Sequence, residues 1–242
     1  MNFIKVKTRP ILPPKDNIYP ILDKYMPKLK EGDVVFITSK ILGIHQGRCI
    51  PVSEVPDKDK LVIEEADMYI PRSQVPFNYV VLTLKDYTLI PTSGIDASNA
   101  NGYYVLWPTD TQKLLKEIWS YLRRKHKIKN LGVIATDSHS TPLRYGVIGI
   151  STGFFGIKPL FDYRGQKDIF GRELKVSQVN VIDALSATAV FLMGEGNERT
   201  PILIGRDIKQ AQFTNRDMHK TLVMPPEDDL YYPLFKAFRK KK

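Results

Sequence analysis

The stretch that decides the fold is "LGVIATDSHSTPLRYGVIGISTGFFGI", residues 131–157. Its first and last parts are rich in β-branched and aromatic residues, which favour strands, and the polar segment between them is typical of a loop. The pattern predicts a strand, a polar loop and a second strand, with Asp137 directly after the first strand. Two strands joined so closely indicate an antiparallel pair.

Other segments carry strand patterns as well. Residues 79–96, "YVVLTLKDYTLIPTSGID", predict a tight hairpin that turns at its central Asp-Tyr pair. Residues 3–9 alternate apolar and basic side chains, and residues 200–205 form a short apolar run. Residues 31–52 predict a turn followed by a buried strand. Strands grouped in this way among a few helices predict an α+β fold with mixed, largely antiparallel sheets and packed helices.

Two helices are predicted in the middle of the chain. Residues 110–126 carry leucine and isoleucine at helical spacing, and Asp110 is the predicted N-cap. The segment "LVIEEADMYIPRS" predicts a helix that ends before Pro71, because the residue before a proline disfavours the helical conformation.

A third predicted helix, residues 178–193, is apolar on almost every side, with Ser177 as its cap and Gly194 as its stop. A helix of this kind is buried inside a large fold or an oligomer, and we therefore expect a homodimer. The chain shows no internal repeat and no low-complexity linker, so residues 1–242 are expected to form a single domain.

The composition limits the possible settings for the protein. No apolar run approaches the roughly 20 residues that span a bilayer, so we expect no membrane association. The first residues, "MNFIKVKTRP", carry charges where a signal peptide needs an apolar segment. The single cysteine, Cys49, cannot form an internal disulfide and resembles a small buried hydrophobic residue. These features predict a cytoplasmic protein.

The net charge of +10 indicates anionic partners, such as nucleic acid, a membrane surface or phosphorylated small molecules. The sequence has no zinc-ligand spacing, no ribonucleoprotein motif and no helix-turn-helix pattern with a basic face. Nucleic acid is therefore only a minor alternative among the possible partners.

Three acidic residues share one kind of surrounding. Asp96 in "SGIDASN", Asp137 in "IATDSH" and Glu195 in "MGEG" each lie among Gly, Ser or Asn at the end of a predicted element. Such residues allow close approach of a ligand and add oxygen donors, and Mg²⁺ prefers carboxylates together with substrate phosphates. Taken singly, each is more simply explained as a cap or a turn residue.

Two further segments are candidates for binding anions. The glycine-rich run "GVIGISTGFFGIKP", residues 146–159, suits either a phosphate cradle or the tight packing of a strand with bulges. It lacks the Gly-Lys-Ser/Thr ending of a P-loop. Ser39, Lys40 and Arg48 lie near a predicted strand end and suit phosphate or carboxylate binding, or simple solvation.

Taken together, these stretches resemble the coenzyme F420-0:L-glutamate ligase family. The resemblance is carried by "GDVVFITSKI", "SGIDASNA", "ATDSHSTPLRYGVIGISTGFFGIKP" and, more specifically, "DIFGREL" followed by "MGEG". It implies an α+β protein that forms an intertwined dimer. It also implies use of a nucleoside triphosphate, GTP or ATP, and Mg²⁺ or Mn²⁺, expected as a pair of ions, to join the amine of L-glutamate to a carboxylate acceptor.

The resemblance assigns roles to individual positions. The implied metal ligands are Asp96, Asp137, Ser138 and Glu195. The implied nucleotide contacts are Ile11, Leu12, Pro13, Pro14, Ser39, Lys40, Asn99, Met193, Gly194, Glu195, Gly196 and Asn197. Asp96 and Asp137 are expected to be catalytic, and the positive charge of Arg144 makes it a candidate to hold an anionic substrate.

The sequence also departs from the family pattern. Ile44 stands where the family commonly has a lysine, and Ser138 stands where it usually has a threonine. The segment "TDSHSTPLR" matches a divergent branch, some of whose members are thought to add glutamate to folate. The sequence therefore predicts a γ-glutamyl ligase that works through an acyl phosphate on coenzyme F420-0 or a relative. A folylpolyglutamate synthase-like ligase is the first alternative, and a non-catalytic nucleotide- or nucleic-acid-binding module is the second.

Overall fold

Short helices and strands succeed one another along the chain, as a computed structural model shows for residues 1–240. The strands are β1 Asn2–Val6, β2 Asp33–Thr38, β3 Cys49–Pro51, β4 Met68–Ile70, β5 Leu82–Lys85, β6 Thr88–Pro91, β7 Tyr103–Val105, β8 Leu131–Ser140, β9 Val147–Phe155, β10 Leu160–Asp162, β11 Gln178–Asn180, β12 Ile202–Arg206 and β13 Arg239–Lys240. The α-helices are α1 Ile18–Tyr25, α2 Ser39–Gln46, α3 Lys58–Glu65, α4 Thr111–His126, α5 Val181–Met193, α6 His219–Leu222 and α7 Tyr232–Phe235.

A five-stranded sheet in the order β1-β12-β2-β8-β9 is the largest in the fold. Its neighbouring strands run antiparallel except β2 and β8, which are parallel. A four-stranded antiparallel sheet, β13-β4-β5-β6, and two small two-stranded sheets, β10-β11 and β3-β7, complete the strands of residues 1–240. The predicted α+β class with mixed, largely antiparallel sheets is confirmed.

The central sheet is covered by helices on both faces, and β2 shows why. Its side chains alternate between the faces, because successive residues of a strand point in opposite directions. Val35 and Ile37 pack with α1 and α4, whereas Val34 and Phe36 pack with α5. All four are fully buried, which explains why this strand is apolar at consecutive positions rather than at alternate ones.

The strand β8 is longer than its sequence indicates. The predicted polar loop exists but begins later than Asp137, because residues 136–140 continue the strand and pair with β9 after a register shift between Ala135 and Thr136. Backbone hydrogen bonds to β9 sustain the strand although its side chains become polar. Asp137 therefore lies within a strand, and the connecting loop is only residues 141–146.

The segment after β2 is helical, so the prediction of one continuous strand there is wrong. Ile41, Leu42 and Ile44 are buried at helical spacing in α2, which ends at Gly47 with a left-handed φ of 75°. Ser39 and Lys40 consequently form the first turn of a helix. The predicted helix before Pro71 also ends early, at Glu65, and β4 follows it.

The predicted helix ends are correct in part. Asp110 occupies the N-cap position of α4, but its side chain makes no capping hydrogen bond. Asn180 caps α5 instead of the predicted Ser177, since its side chain accepts a hydrogen bond of 3.0 Å from the Asp183 amide. The predicted stop at Gly194 is confirmed.

The glycine-rich run forms β9, in agreement with tight strand packing. A Cβ on Gly149 would lie 2.3 Å from the Ser186 carbonyl oxygen of α5, so this helix packs directly against the strand backbone. The hairpin of β5 and β6 is confirmed as well, and its turn residues Asp86 and Tyr87 have φ of 47° and 61°, as a type I′ turn requires. Within residues 1–240, every helix is too short or too polar to cross a membrane.

Candidate active site

A cavity of about 620 Å³ lies beside the carboxyl ends of β2 and β8. Five parts of the chain contribute to its wall: the segment after β1, the start of α2, the loop after β6, the polar part of β8 and the segment after α5. The wall includes Arg9, Ile11, Ser39, Lys40, Asp96, Ser98, Asn99, Asp137, Ser138, Glu195 and Glu198. The cavity therefore gathers residues that are far apart in sequence.

Asp137 is half-buried, and its carboxylate accepts three hydrogen bonds. Its Oδ2 accepts one from the Ser39 hydroxyl at 2.7 Å and one from the Trp107 indole N–H. Its Oδ1 accepts one from the Ser138 amide at 2.8 Å. Loss of hydration raises the pKa of Asp137, although these hydrogen bonds and the charge of Lys40 act in the opposite direction.

Asp96 forms an ion pair with Lys40 in the loop that follows β6. The Lys40 ammonium lies 2.5 Å from Oδ2 of Asp96, and it also donates to the Ser98 carbonyl at 2.9 Å. The Ser98 amide donates to Oδ1 of Asp96 at 2.7 Å, which is the geometry of an Asx turn. Burial raises the pKa of Asp96, but hydrogen bonds from Lys40 and Ser98 outweigh it and leave the pKa lowered.

Glu195 reaches the same cavity from the end of α5. Gly194, with φ of 85°, turns the chain there, and the Ser138 hydroxyl donates to Oε2 of Glu195 at 3.3 Å. Partial burial raises the pKa of Glu195, and the negative charges of Asp137 and Asp96 raise it further, against the hydrogen bond from Ser138. The four predicted metal ligands thus lie on one cavity wall.

The donor set suits a hard cation, although it is not closed into a metal cage. Within residues 1–240, no three His, Cys, Asp or Glu side chains are arranged as a metal site. Each carboxylate instead has protein partners: Lys40 pairs with Asp96, and Ser138 donates to Glu195. Burial is the main cause of the raised pKa of Glu195, and the negative charges of Asp137 and Asp96 add a repulsion that a nearby cation would relieve. Carboxylate and hydroxyl oxygens are also the ligands that Mg²⁺ accepts.

Most of the predicted nucleotide contacts lie on the same wall. Ile11, Ser39, Lys40 and Asn99 line the cavity, as do all five residues from Met193 to Asn197. Leu12, Pro13 and Pro14 do not line it, and Leu12 is exposed. The Asn99 side-chain amide donates to the Gly196 carbonyl at 3.0 Å, which joins the loop after β6 to the segment after α5.

Arg144 and Arg48 lie away from the cavity. Arg144 is in the exposed loop between β8 and β9, where its guanidinium donates to the Leu143 carbonyl at 2.9 Å. Its proposed contact with a substrate stays a prediction. Arg48 pairs with Glu65 at 2.7 Å and donates to the Trp107 carbonyl at 3.2 Å, so it supports the fold beside the site.

Several residues at the site were not found from the sequence. The guanidinium of Arg9 contributes a positive charge to the cavity wall. Asp16 holds it in place by accepting two hydrogen bonds of 2.5 and 2.9 Å. Glu198 accepts a hydrogen bond from the Gly196 amide at 2.9 Å. Trp107 contacts Asp137 although 30 residues separate them. Arg9 follows a strand pattern and precedes a proline, which is a weak signal, and the position of Trp107 has no sequence signal.

Comparison with known sequences gives the class of protein. The chain is an enzyme, a ligase that forms an amide bond. A family profile described as F420-0:Gamma-glutamyl ligase matches residues 5–207, and the chain belongs to that family. The resemblance found in the motifs is therefore confirmed. Membership of an enzyme family also speaks against a non-catalytic binding module.

Three of the similar proteins carry one name, coenzyme F420:L-glutamate ligase. The protein of Methanocaldococcus jannaschii is 31% identical over 84% of this chain and 86% of its own length. The protein of Methanopyrus kandleri is 29% identical over 84% and 87%, and that of Methanococcus maripaludis is 33% identical over 73% and 68%. The alignments cover most of both partners in each comparison.

Proposed function

We propose that this protein is a nucleoside-triphosphate- and divalent-metal-dependent γ-glutamyl ligase. It joins L-glutamate to a carboxylate acceptor of the coenzyme F420-0 type. The observation that carries the proposal is the convergence of Asp96, Asp137 and Glu195 on one cavity that also contains Lys40. The names of the similar proteins support L-glutamate as one substrate and an F420-type acceptor as the other.

The proposed metal site uses oxygen donors from three parts of the fold. Asp96, Asp137, Ser138 and Glu195 would hold Mg²⁺ or Mn²⁺, as a pair of ions. When bound, the metal supplies neutralisation of phosphate charge and polarisation of phosphoryl oxygens. Lys40 must then exchange its contact with Asp96 for another anion, and the triphosphate of GTP or ATP provides one.

The start of α2 is suited to bind that triphosphate. Its first-turn residues line the cavity, and Thr38 makes no side-chain capping hydrogen bond, so the first N–H groups are not used by a cap. Free amides at a helix N-terminus attract anions. Lys40 and Arg9 add two positive charges on the same wall. Lys40 lines the same cavity as Ile44, which supports a role for Lys40 in place of the family lysine.

The reaction requires activation of a carboxylate, which is a poor electrophile. A carboxylate oxygen of the acceptor attacks the γ-phosphorus; the new O–P bond forms as the bond to the nucleoside diphosphate breaks. The amine of glutamate then attacks the acyl carbon of the resulting acyl phosphate. The C–N bond forms, inorganic phosphate leaves, and the proton of the amine passes to solvent. Lys40 and Arg9 orient and neutralise the phosphates, since positioning and charge provide most of the catalysis in phosphoryl transfer.

The proposed homodimer has a different basis from the one expected from the sequence. The apolar helix α5 is largely covered by the central sheet of its own chain. Phe191 on α5 is nevertheless 84% exposed, and in the segment that precedes β11 Ile169, Phe170 and Val176 are 91%, 88% and 85% exposed. Exposed apolar side chains in such numbers mark interaction surfaces. Phe191→Asp is expected to convert a dimer into a monomer in light scattering, and a monomeric wild-type protein would remove this part of the proposal.

An acceptor assay tests the function. Purified protein is incubated with labelled L-glutamate, Mg²⁺ or Mn²⁺, GTP or ATP, and either coenzyme F420-0 or folate. The expected product is the F420-0 acceptor extended by glutamate, with triphosphate hydrolysis only when both substrates are present. If only folate is extended, folate would replace coenzyme F420-0 as the acceptor in the proposal, and the proposed ligase chemistry would stand. No extension of either acceptor would overturn the proposal.

A pair of substitutions tests the role of the cavity. Asp137→Asn removes a charge from the wall and is expected to abolish both turnover and Mn²⁺ binding. Asp110→Asn removes the same charge from an exposed residue that makes no capping hydrogen bond, and is expected to leave both unchanged. A polyanion-binding surface without catalysis would bind polyanions at least as well after either change.

A further inference from the structure

Trp107 contacts Asp137 in the candidate site, although Trp107 belongs to none of the sequence motifs that identified the site. The residue is 3% exposed and lies two positions after the end of β7. Its indole N–H donates a hydrogen bond to Oδ2 of Asp137. A tryptophan N–H is a donor only, so it always presents a hydrogen to this oxygen.

The two carboxylate oxygens of Asp137 accept different numbers of hydrogen bonds. Oδ2 accepts two hydrogen bonds, from Ser39 and Trp107, and each carboxylate oxygen has two acceptor positions. From residues 1–240, Oδ1 accepts only one, from the Ser138 amide. The carboxylate therefore retains one free acceptor position, and it is on Oδ1.

The indole is held in place by its surroundings. A Cβ built on Gly94 would lie 2.1 Å from the indole nitrogen, so the backbone of residue 94 is in direct contact with the ring. The Trp107 carbonyl accepts a hydrogen bond from Arg48 at 3.2 Å, and Arg48 is fixed by Glu65 at 2.7 Å. The ring cannot move towards residue 94 without displacing backbone.

We propose that Trp107 is a positioning residue of the candidate site. Together with Ser39 it holds Asp137 in one orientation, in which Oδ1 is the only oxygen left to bind a cation. This inference rests on the proposed metal-dependent function. Partners that orient a metal ligand typically change metal affinity by about 10–100-fold when they are removed.

The first test compares the two tryptophans of the chain. Trp107→Phe removes the hydrogen bond to Asp137, whereas Trp119→Phe removes a buried indole hydrogen bond of 2.8 Å to the Leu131 carbonyl, away from the cavity. Mn²⁺ binding without substrates is measured by electron paramagnetic resonance. We expect about 10–100-fold weaker binding for Trp107→Phe and less than twofold change for Trp119→Phe. Equal affinities in both variants would overturn the positioning role.

A second test leaves Trp107 intact, and it decides the question if Trp107→Phe does not fold. Trp119→Phe protein contains one indole, so its ¹H–¹⁵N spectrum has one indole signal. Addition of Mg²⁺ is expected to shift this signal, with a midpoint equal to the Kd from calorimetry. Binding of Mg²⁺ with an unmoved indole signal would refute the inference.

The experiments distinguish failure of the proposed function from failure of the inference about Trp107. If wild-type protein extends neither acceptor and binds no Mn²⁺, the metal-dependent ligase and the inference both fall. If wild-type protein binds Mn²⁺ and extends an acceptor while Trp107→Phe behaves like Trp119→Phe, only the inference about Trp107 is wrong.

Discussion

Gly94 allows the candidate site to form, and its replacement by alanine has a cost that the structure specifies. A Cβ there would lie 2.1 and 2.4 Å from two atoms of the Trp107 ring, which is buried. The residue also has φ of 69°, in the left-handed region, where a side chain costs about 1–2 kcal/mol. Overpacking adds about 1–3 kcal/mol, so Gly94→Ala should lose about 2–5 kcal/mol of unfolding free energy.

Gly102→Ala is the matched control. Gly102 has φ of 85°, but no atom of residues 1–240 outside its immediate neighbours lies within 4 Å of where a Cβ would stand, so only the backbone cost of about 1–2 kcal/mol applies. Urea unfolding followed by circular dichroism measures both variants. Gly94→Ala should be the less stable by about 1–3 kcal/mol, and it should bind Mn²⁺ more weakly because the ring beside Asp137 is displaced. Equal losses in the two variants would show that contact with Trp107 does not constrain residue 94.

Other predictions concern charges. Arg206→Met removes the partner that donates two hydrogen bonds of 2.8 Å to the fully buried Asp33. Urea unfolding should show that the free energy of unfolding falls by about 3–5 kcal/mol, and a fall below about 1 kcal/mol would contradict this prediction. Hydrogen bonds from Arg164 lower the pKa of Asp162 from 3.8 to about 2, so their stabilisation is present above about pH 4 and is lost as the pH falls towards 2. Carboxyl NMR should show that pKa return towards 3.8 in Arg164→Ala, and an unchanged pKa would exclude Arg164 as the cause. Because the pKa of Glu195 is raised, its charge destabilises the metal-free protein as the pH rises through that pKa. Thermal unfolding at about pH 7 should therefore show a higher Tm for metal-free Glu195→Gln, and Mn²⁺ should raise the Tm of the wild type more.

Local patterns predicted those elements whose own side chains determine them. Leu114, Leu115, Ile118 and Leu122 occur at helical spacing, and α4 buries all four against the sheet. The hairpin at Asp86 and Tyr87 was predictable for the same local reason. The end of β8 was not, because pairing with β9 rather than side-chain preference keeps residues 136–140 extended.

The site was predictable only where a motif marks it. Asp96, Asp137 and Glu195 each stand in a polar or glycine-rich surrounding, and the structure brings all three to one cavity. Arg9 lines that cavity and Trp107 contacts Asp137 in its wall, and both positions depend on the whole fold. Tryptophan in an apolar segment predicts burial only, so its hydrogen bond to Asp137 had to be read from the structure.

The position of β12 has a consequence for the order in which the protein folds during synthesis. This strand lies between β1 and β2 and pairs with both, so β1 and β2 are joined by a strand that leaves the ribosome after the other four strands of the sheet. A nascent chain shorter than about residue 206 cannot close the central sheet, and β1 lacks its strand partner until then. Non-local pairing of this kind slows folding and leaves strand edges exposed in the meantime. The cavity of the candidate site should therefore be absent from nascent chains that end before about residue 206, and it should form only after β12 has been made.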